Sequence, residues 1–165
     1  LMHLGYGARD IVVAGDSAGG NLALVLTMLL RDAGRLLPRR LVLMSPWTDM
    51  TASGKSYRER RDADPMITMN YIQAVRAAYA PGRELSSPML SPLFGDFDRF
   101  PPVLIQVGTN EILMSDSVRL RDRLVQAGIP CRLEVWPDMW HVFQMFPMKK
   151  ASQAMDSVGR FLLET

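Results

Sequence analysis

The chain has 165 residues, enough for one domain with a real core, and its 48% apolar and 22% charged content is ordinary for a globular protein. The net charge of +2 is spread over short groups such as Arg39-Arg40 and Arg58-Glu59-Arg60-Arg61, which argues against a nucleic-acid partner. The single cysteine, Cys131, excludes an intramolecular disulfide framework and a cysteine-based zinc site, and no run approaches the roughly 20 apolar residues of a membrane span.

In chain order, strands alternate with helices. Asp10-Ile11-Val12-Val13-Ala14 reads as a strand buried on both faces. A glycine-rich turn follows over 15–20, and 18–33, rich in Ala, Leu and Met, predicts a helix stopped by Gly34. A second strand is expected over 40–44. Residues 51–100 differ in texture, with several prolines, mixed charges and one good helix near 70–79, N-capped by Thr68. A third strand is expected over 103–107, then an amphipathic helix over 116–127 closed by Gly128 and Pro130. Residues 132–136 alternate and predict a fourth strand near a sheet edge, and 151–163 a terminal helix. This alternation predicts an α/β fold with a mostly parallel sheet flanked by helices. No signal-peptide pattern is visible, so a cytoplasmic location is expected; because the chain opens at Leu1, a signal peptide upstream stays open.

Gly15-Asp16-Ser17-Ala18-Gly19 matches G-x-S-x-G, with a strand entering and an apolar helix leaving. A serine nucleophile in this arrangement sits on a sharp turn with its hydroxyl beyond the strand end. The flanking glycines are expected to be required where helix and strand approach closely. The helix N-terminus directs its N–H groups toward Ser17, and the Ala18 N–H is a candidate oxyanion donor. The chain holds two histidines. His3 lacks chemical context, whereas His141 follows the last strand, where a doubly wound sheet places functional residues. In this fold the acid lies between serine and histidine in chain order. Glu111 and Asp116 compete for that role. Glu111 is favoured, because Asp116 or Ser115 also fits the N-cap or first turn of the next helix.

These residues resemble the bacterial hormone-sensitive-lipase family of carboxylesterases, within the α/β-hydrolase superfamily. Gly15-Asp16-Ser17-Ala18-Gly19-Gly20-Asn21 is similar to the nucleophile motif in its GDSAG form. Ser45-Pro46-Trp47-Thr48-Asp49, Ser91-Pro92-Leu93, Phe100-Pro101-Pro102 and His141-Val142-Phe143 resemble further family segments. Glu111-Ile112-Leu113 stands where many members have Asp-Pro-Leu. The resemblance implies a small-molecule ester substrate, no metal or cofactor, and a lid to which 51–100 would contribute. Trp47 and Phe143 are candidates to line the pocket, with a core role equally open; Met139 could also face substrate. An amidase or other acyl transferase on the same triad, or a non-catalytic binding protein of this fold, is the alternative. The resemblance leaves room for a homodimer of the full-length protein.

The family's His-Gly-Gly-Gly motif, whose N–H groups complete the oxyanion hole, is not in this sequence, and 16 residues precede Ser17. By the resemblance the chain is expected to be the C-terminal part of a longer hydrolase domain. The motif would lie about 70 residues before the serine, and the sheet would carry an unpaired edge.

Overall fold

The computed structural model describes residues 2–164. Four strands form one parallel sheet in the order β1 (Val12–Asp16), β2 (Arg40–Met44), β3 (Val103–Gly108) and β4 (Cys131–Trp136). Helix α1 (Ala18–Asp32) joins β1 to β2, and α4 (Met114–Gln126) joins β3 to β4. Helix α5 (Lys149–Leu163) follows β4, while α2 (Ser56–Glu59) and α3 (Met69–Tyr79) lie in the long β2–β3 connection. Every crossover is parallel, so all four strands end on the same edge of the sheet, where an α/β fold gathers its functional loops.

Side-chain alternation sorts the two faces. Leu41, Leu43, Val103 and Ile105 point to the side covered by α1 and α4, through Leu24, Met28, Leu120 and Leu124. Val42 and Leu104 point to the other side, under Val158 and Phe161 of α5. Both crossover helices end alike. In α1, Gly34 at φ 62° donates to the Arg31 carbonyl and Arg35 to that of Leu30. In α4, Gly128 at φ 75° donates to Val125 and Ile129 to Leu124. These are paired C-terminal caps that need the left-handed glycine.

One expectation changes here. Strand β1 is not buried on both faces: it pairs only with β2, Val12 and Val13 are half-buried, and Ala14 is exposed. It also starts two residues later than the predicted strand, because Asp10 accepts a hydrogen bond from the Gly7 amide (2.8 Å) and closes a 3-10 turn over Ala8–Asp10. Residues 51–100 divide between two clusters. Tyr57, Ile67 and Ile72 pack on Trp47, Ile112 and Leu113, the loops after β2 and β3. Leu93, Phe97 and Phe100 rejoin the main core beneath α1 and α4. Thr68 does cap α3, accepting from the Tyr71 amide at 3.2 Å.

Candidate active site

Ser17 stands between β1 and α1 at φ 50°, ψ −119°, a strained position for a residue with a side chain. Three contacts over-determine it: its amide donates to the Met44 carbonyl, and its carbonyl accepts from the Gly20 and Trp47 amides at 3.1 and 3.0 Å. The glycines of the motif do unequal work. A Cβ on Gly15 would lie 2.2 Å from the Gly19 carbonyl oxygen, and one on Gly20 2.7 Å from Pro46 Cβ. On Gly19 the nearest atom is 3.8 Å away. The expectation that both flanking glycines are sterically required therefore holds for Gly15 and fails for Gly19; Gly20 is the second crowded position.

Past β3, the Glu111 side chain is wholly buried. Its Oε1 accepts from the Gly108 amide at 2.5 Å and from Ser45 Oγ at 2.8 Å, and its Oε2 lies 3.1 Å from His141 Nδ1. The loop that carries His141 can pass this close because Gly108 has no side chain: a Cβ there would sit 2.1 Å from the Met139 carbonyl oxygen. Among the described residues, no hydrogen bond runs from the Ser17 hydroxyl to His141. A general base is often beyond bonding reach until the reacting complex draws it in.

Asp116 is occupied elsewhere. Its Oδ2 accepts from the Thr48 and Asp49 amides, both at 2.9 Å, and from the Tyr57 hydroxyl at 3.2 Å. It is not the N-cap of α4, which is Leu113, but it does lie in that helix's first turn, with its carboxylate turned to the loop after β2. Burial, and then the charge of Asp49, pushes its carboxyl up to about 8. The same burial, with the charges of Asp116 and Asp49, drives the Tyr57 phenol well above its ordinary range. For Asp49, burial works upward, but hydrogen bonds from Ser53, Thr51 and Arg119 outweigh it and hold the carboxyl below its usual value.

Trp47 is buried, with its indole N–H on the Asp49 carbonyl. One edge of it lines a small apolar cavity of about 120 Å³ beside Ala18, with Asn21, Met50, Val75 and Tyr79. Phe143 does not line that cavity. It is fully buried against Trp136 (ring centroids 5.7 Å apart), Met139 and Ala154, and is core. Met139 belongs to the same cluster, so it too is packing. The contact is dictated by α5, whose Ala151 and Ala154 leave room for the ring.

Three residues of the site carry no role in the sequence reading. Asn21 donates to the Trp47 and Leu90 carbonyls at 2.9 and 2.8 Å, tying α1 to the loops above it. Gly108 is a backbone fit that only coordinates reveal. Ser45 lies within a family-like segment, and for it a signal existed, since it directly follows a strand at the functional edge of the sheet.

This geometry has close counterparts among known proteins. Residues 2–145 match the model of a family with the alpha/beta hydrolase fold. An esterase of Acinetobacter venetianus is 37% identical over 164 residues, covering 98% of this chain and 54% of the esterase. An acetyl-hydrolase of Streptomyces hygroscopicus is 34% identical, covering 98% of this chain and 55% of the hydrolase. The crystal structure of an esterase from the bacterial hormone-sensitive lipase family superposes with a TM-score of 0.95 at 38% identity, covering 98% of this chain and 55% of that one. The chain thus spans about half the length of the relatives it matches. No helix among the described residues is long and apolar enough to cross a membrane. The chain belongs to the α/β-hydrolase family and is similar throughout to its hormone-sensitive-lipase esterases.

Proposed function

We propose that the whole protein, of which this chain spans about half by the length of its relatives, is a serine carboxylesterase acting on short-to-medium acyl esters. The observation that carries the reading is the buried Glu111–His141 contact at 3.1 Å, on the same sheet edge as the strained Ser17 turn. His141 takes the proton of Ser17 as its oxygen attacks the ester carbonyl. Glu111 holds the imidazole with Nε2 free to act and stabilises the imidazolium. The Ala18 N–H, at the start of α1, donates to the oxyanion. His141 then protonates the leaving alcohol, and water, activated the same way, releases the acid from the acyl-enzyme. The segment around α2 and α3 serves as part of a lid, with Trp47 on the pocket wall. Phe143 is removed from the binding set by its burial.

The test is hydrolysis by the whole protein of a chromogenic short-chain ester, with the matching anilide alongside. Ser17→Ala and His141→Ala should each cost about 10⁴-fold or more in kcat, and the ester should be cleaved far faster than the anilide. Substantial turnover by Ser17→Ala would overturn the reading. Preference for the anilide would turn it toward an amidase.

A further inference from the structure

Ser45 ends β2 fully buried, at φ 48°, in the left-handed region that a non-glycine residue enters only when its surroundings hold it there. Its amide donates to the Gln106 carbonyl at 2.7 Å, fixing it to β3. Its hydroxyl uses both of its capacities. It donates to Glu111 Oε1 at 2.8 Å and accepts from the Val142 amide at 3.1 Å. Val142 is itself strained, a β-branched residue at φ 50° directly after His141. The next two residues in the chain, Pro46 and Trp47, brace the nucleophile turn through Gly20 and the Ser17 carbonyl.

We infer that Ser45 is the positioning residue of this site: one hydroxyl fixes the carboxylate that orients His141 and, at the same time, pins the strained residue that follows His141. The inference rests on the hydrolase reading of the site. Each link has a physical need behind it. A buried carboxylate requires donors, and Glu111 Oε1 has two, the Gly108 amide and Ser45. The Val142 amide is turned inward by its φ, away from solvent, and Ser45 is the acceptor it meets. Removing the hydroxyl releases both ends of the acid–base pair at once. The neighbouring acids cannot substitute. Asp116 is directed at the Thr48 and Asp49 amides, Asp64 at the amides of Met66, Ile67 and Ile112, and Asp138 faces Lys150.

The test compares Ser45→Ala, Ser45→Gly and Ser45→Cys in the whole protein, of which this chain spans about half by the length of its relatives. Ala removes the hydroxyl, Gly removes it while accepting the left-handed backbone freely, and Cys keeps the shape with a weaker donor. Two readouts are taken on variants shown to be folded by their amide spectra. One is the imidazole Nδ1–H resonance of His141, assigned by its loss in His141→Ala. The other is the rate at which a fluorophosphonate labels Ser17. Ala and Gly should both weaken or lose the downfield Nδ1–H signal and slow labelling about 10-fold or more, with Cys keeping part of each. An unchanged resonance in Ala and Gly overturns the inference, even if labelling slows, because the hydroxyl would then be only structural. So does a Gly variant that behaves as wild type while Ala does not, which would assign the effect to backbone strain. If wild-type Ser17 resists the label, the hydrolase reading is in trouble, while the His141 resonance still decides the role of Ser45.

Discussion

The two strands that carry the site, β3 inside the sheet and β1 at the edge of these 165 residues, are held differently. At β3, the strand is buried along its whole length, and the residues past it form a closed polar set: Glu111 satisfied by Gly108, Ser45 and His141, and the His141 loop seated on a glycine. At β1, the strand has a neighbour on one side only, and the helix it feeds shows Leu22, Leu26 and Leu29 to solvent. Glu111 and His141 are thus held by contacts internal to this chain. Ser17 is held from beneath, through Met44, Trp47 and Gly20. Substitutions beside each strand probe how deep that division runs.

The largest effect is expected within the nucleophile motif itself. Gly15→Ala would drive a Cβ into the backbone of Gly19, which cannot move without unwinding the start of α1. A loss of roughly 2–3 kcal/mol, about 6–10 °C in Tm, is expected. Gly19→Ala meets only an ordinary contact with Asp16 in the first turn of the helix and should be neutral or raise Tm by a few degrees at most, since Ala is favoured over Gly in a helix by up to ~1 kcal/mol. Thermal melts of the two variants decide the matter. Equal damage would show that the outer side of the nucleophile turn is as tightly packed as the inner.

This asymmetry also marks what could be read without coordinates. The strand–helix alternation, the glycine stops at Gly34 and Gly128 and the Thr68 cap depend on local chemistry, and they are visible in the residues. Ile11, Val12 and Val13 carry the pattern of a central strand whatever lies beside them, so the free edge at β1 is expected only through the family resemblance. The G-x-S-x-G motif pointed to Ser17, yet it could not distinguish a crowded Gly15 from an uncrowded Gly19. Phe143 is open to either a pocket or a core role in the sequence; the arrival of α5, distant in sequence, makes it core. Asp116 presents a similar case. As a first-turn acid it suggested a cap for its own helix, but its partners are Thr48, Asp49 and Tyr57, from the far side of the β2–β3 connection.

Asp116 supplies the second test, on the well-closed side. Its folded carboxyl titrates near about 8, raised by burial and by Asp49 from an ordinary 3.8. Between those values the folded chain keeps a proton that the unfolded chain has released. Stability contributed by this group therefore falls as pH rises through the window from about 4 to 8, and levels off above it. Asp116→Asn retains an acceptor for the Thr48 and Asp49 amides and has no proton to lose. Its stability relative to wild type should rise steadily with pH across the window, as read from urea midpoints at several pH values. Parallel pH dependences would mean that Asp116 is ionised in the fold and that the neighbouring donors offset its burial.

The smallest effect belongs to the open side. Beside β1, a groove of about 640 Å³ is lined by Ile11, Val13, Leu26, Leu30, Leu36 and Pro38, with almost no polar surface. Leu26 is 43% exposed, so a lysine there can extend its charge into water and cost little in folding. What it would change is the continuity of the apolar surface, which is large enough to bind an apolar dye or a second molecule. Leu26→Lys should lower the fluorescence of a bound naphthalene-sulfonate dye and reduce concentration-dependent light scattering, with Tm shifted by a few degrees at most. A large loss of Tm would show that Leu26 is buried in solution. In that case the Ser17 side is closed after all, and the contrast between β1 and β3 disappears.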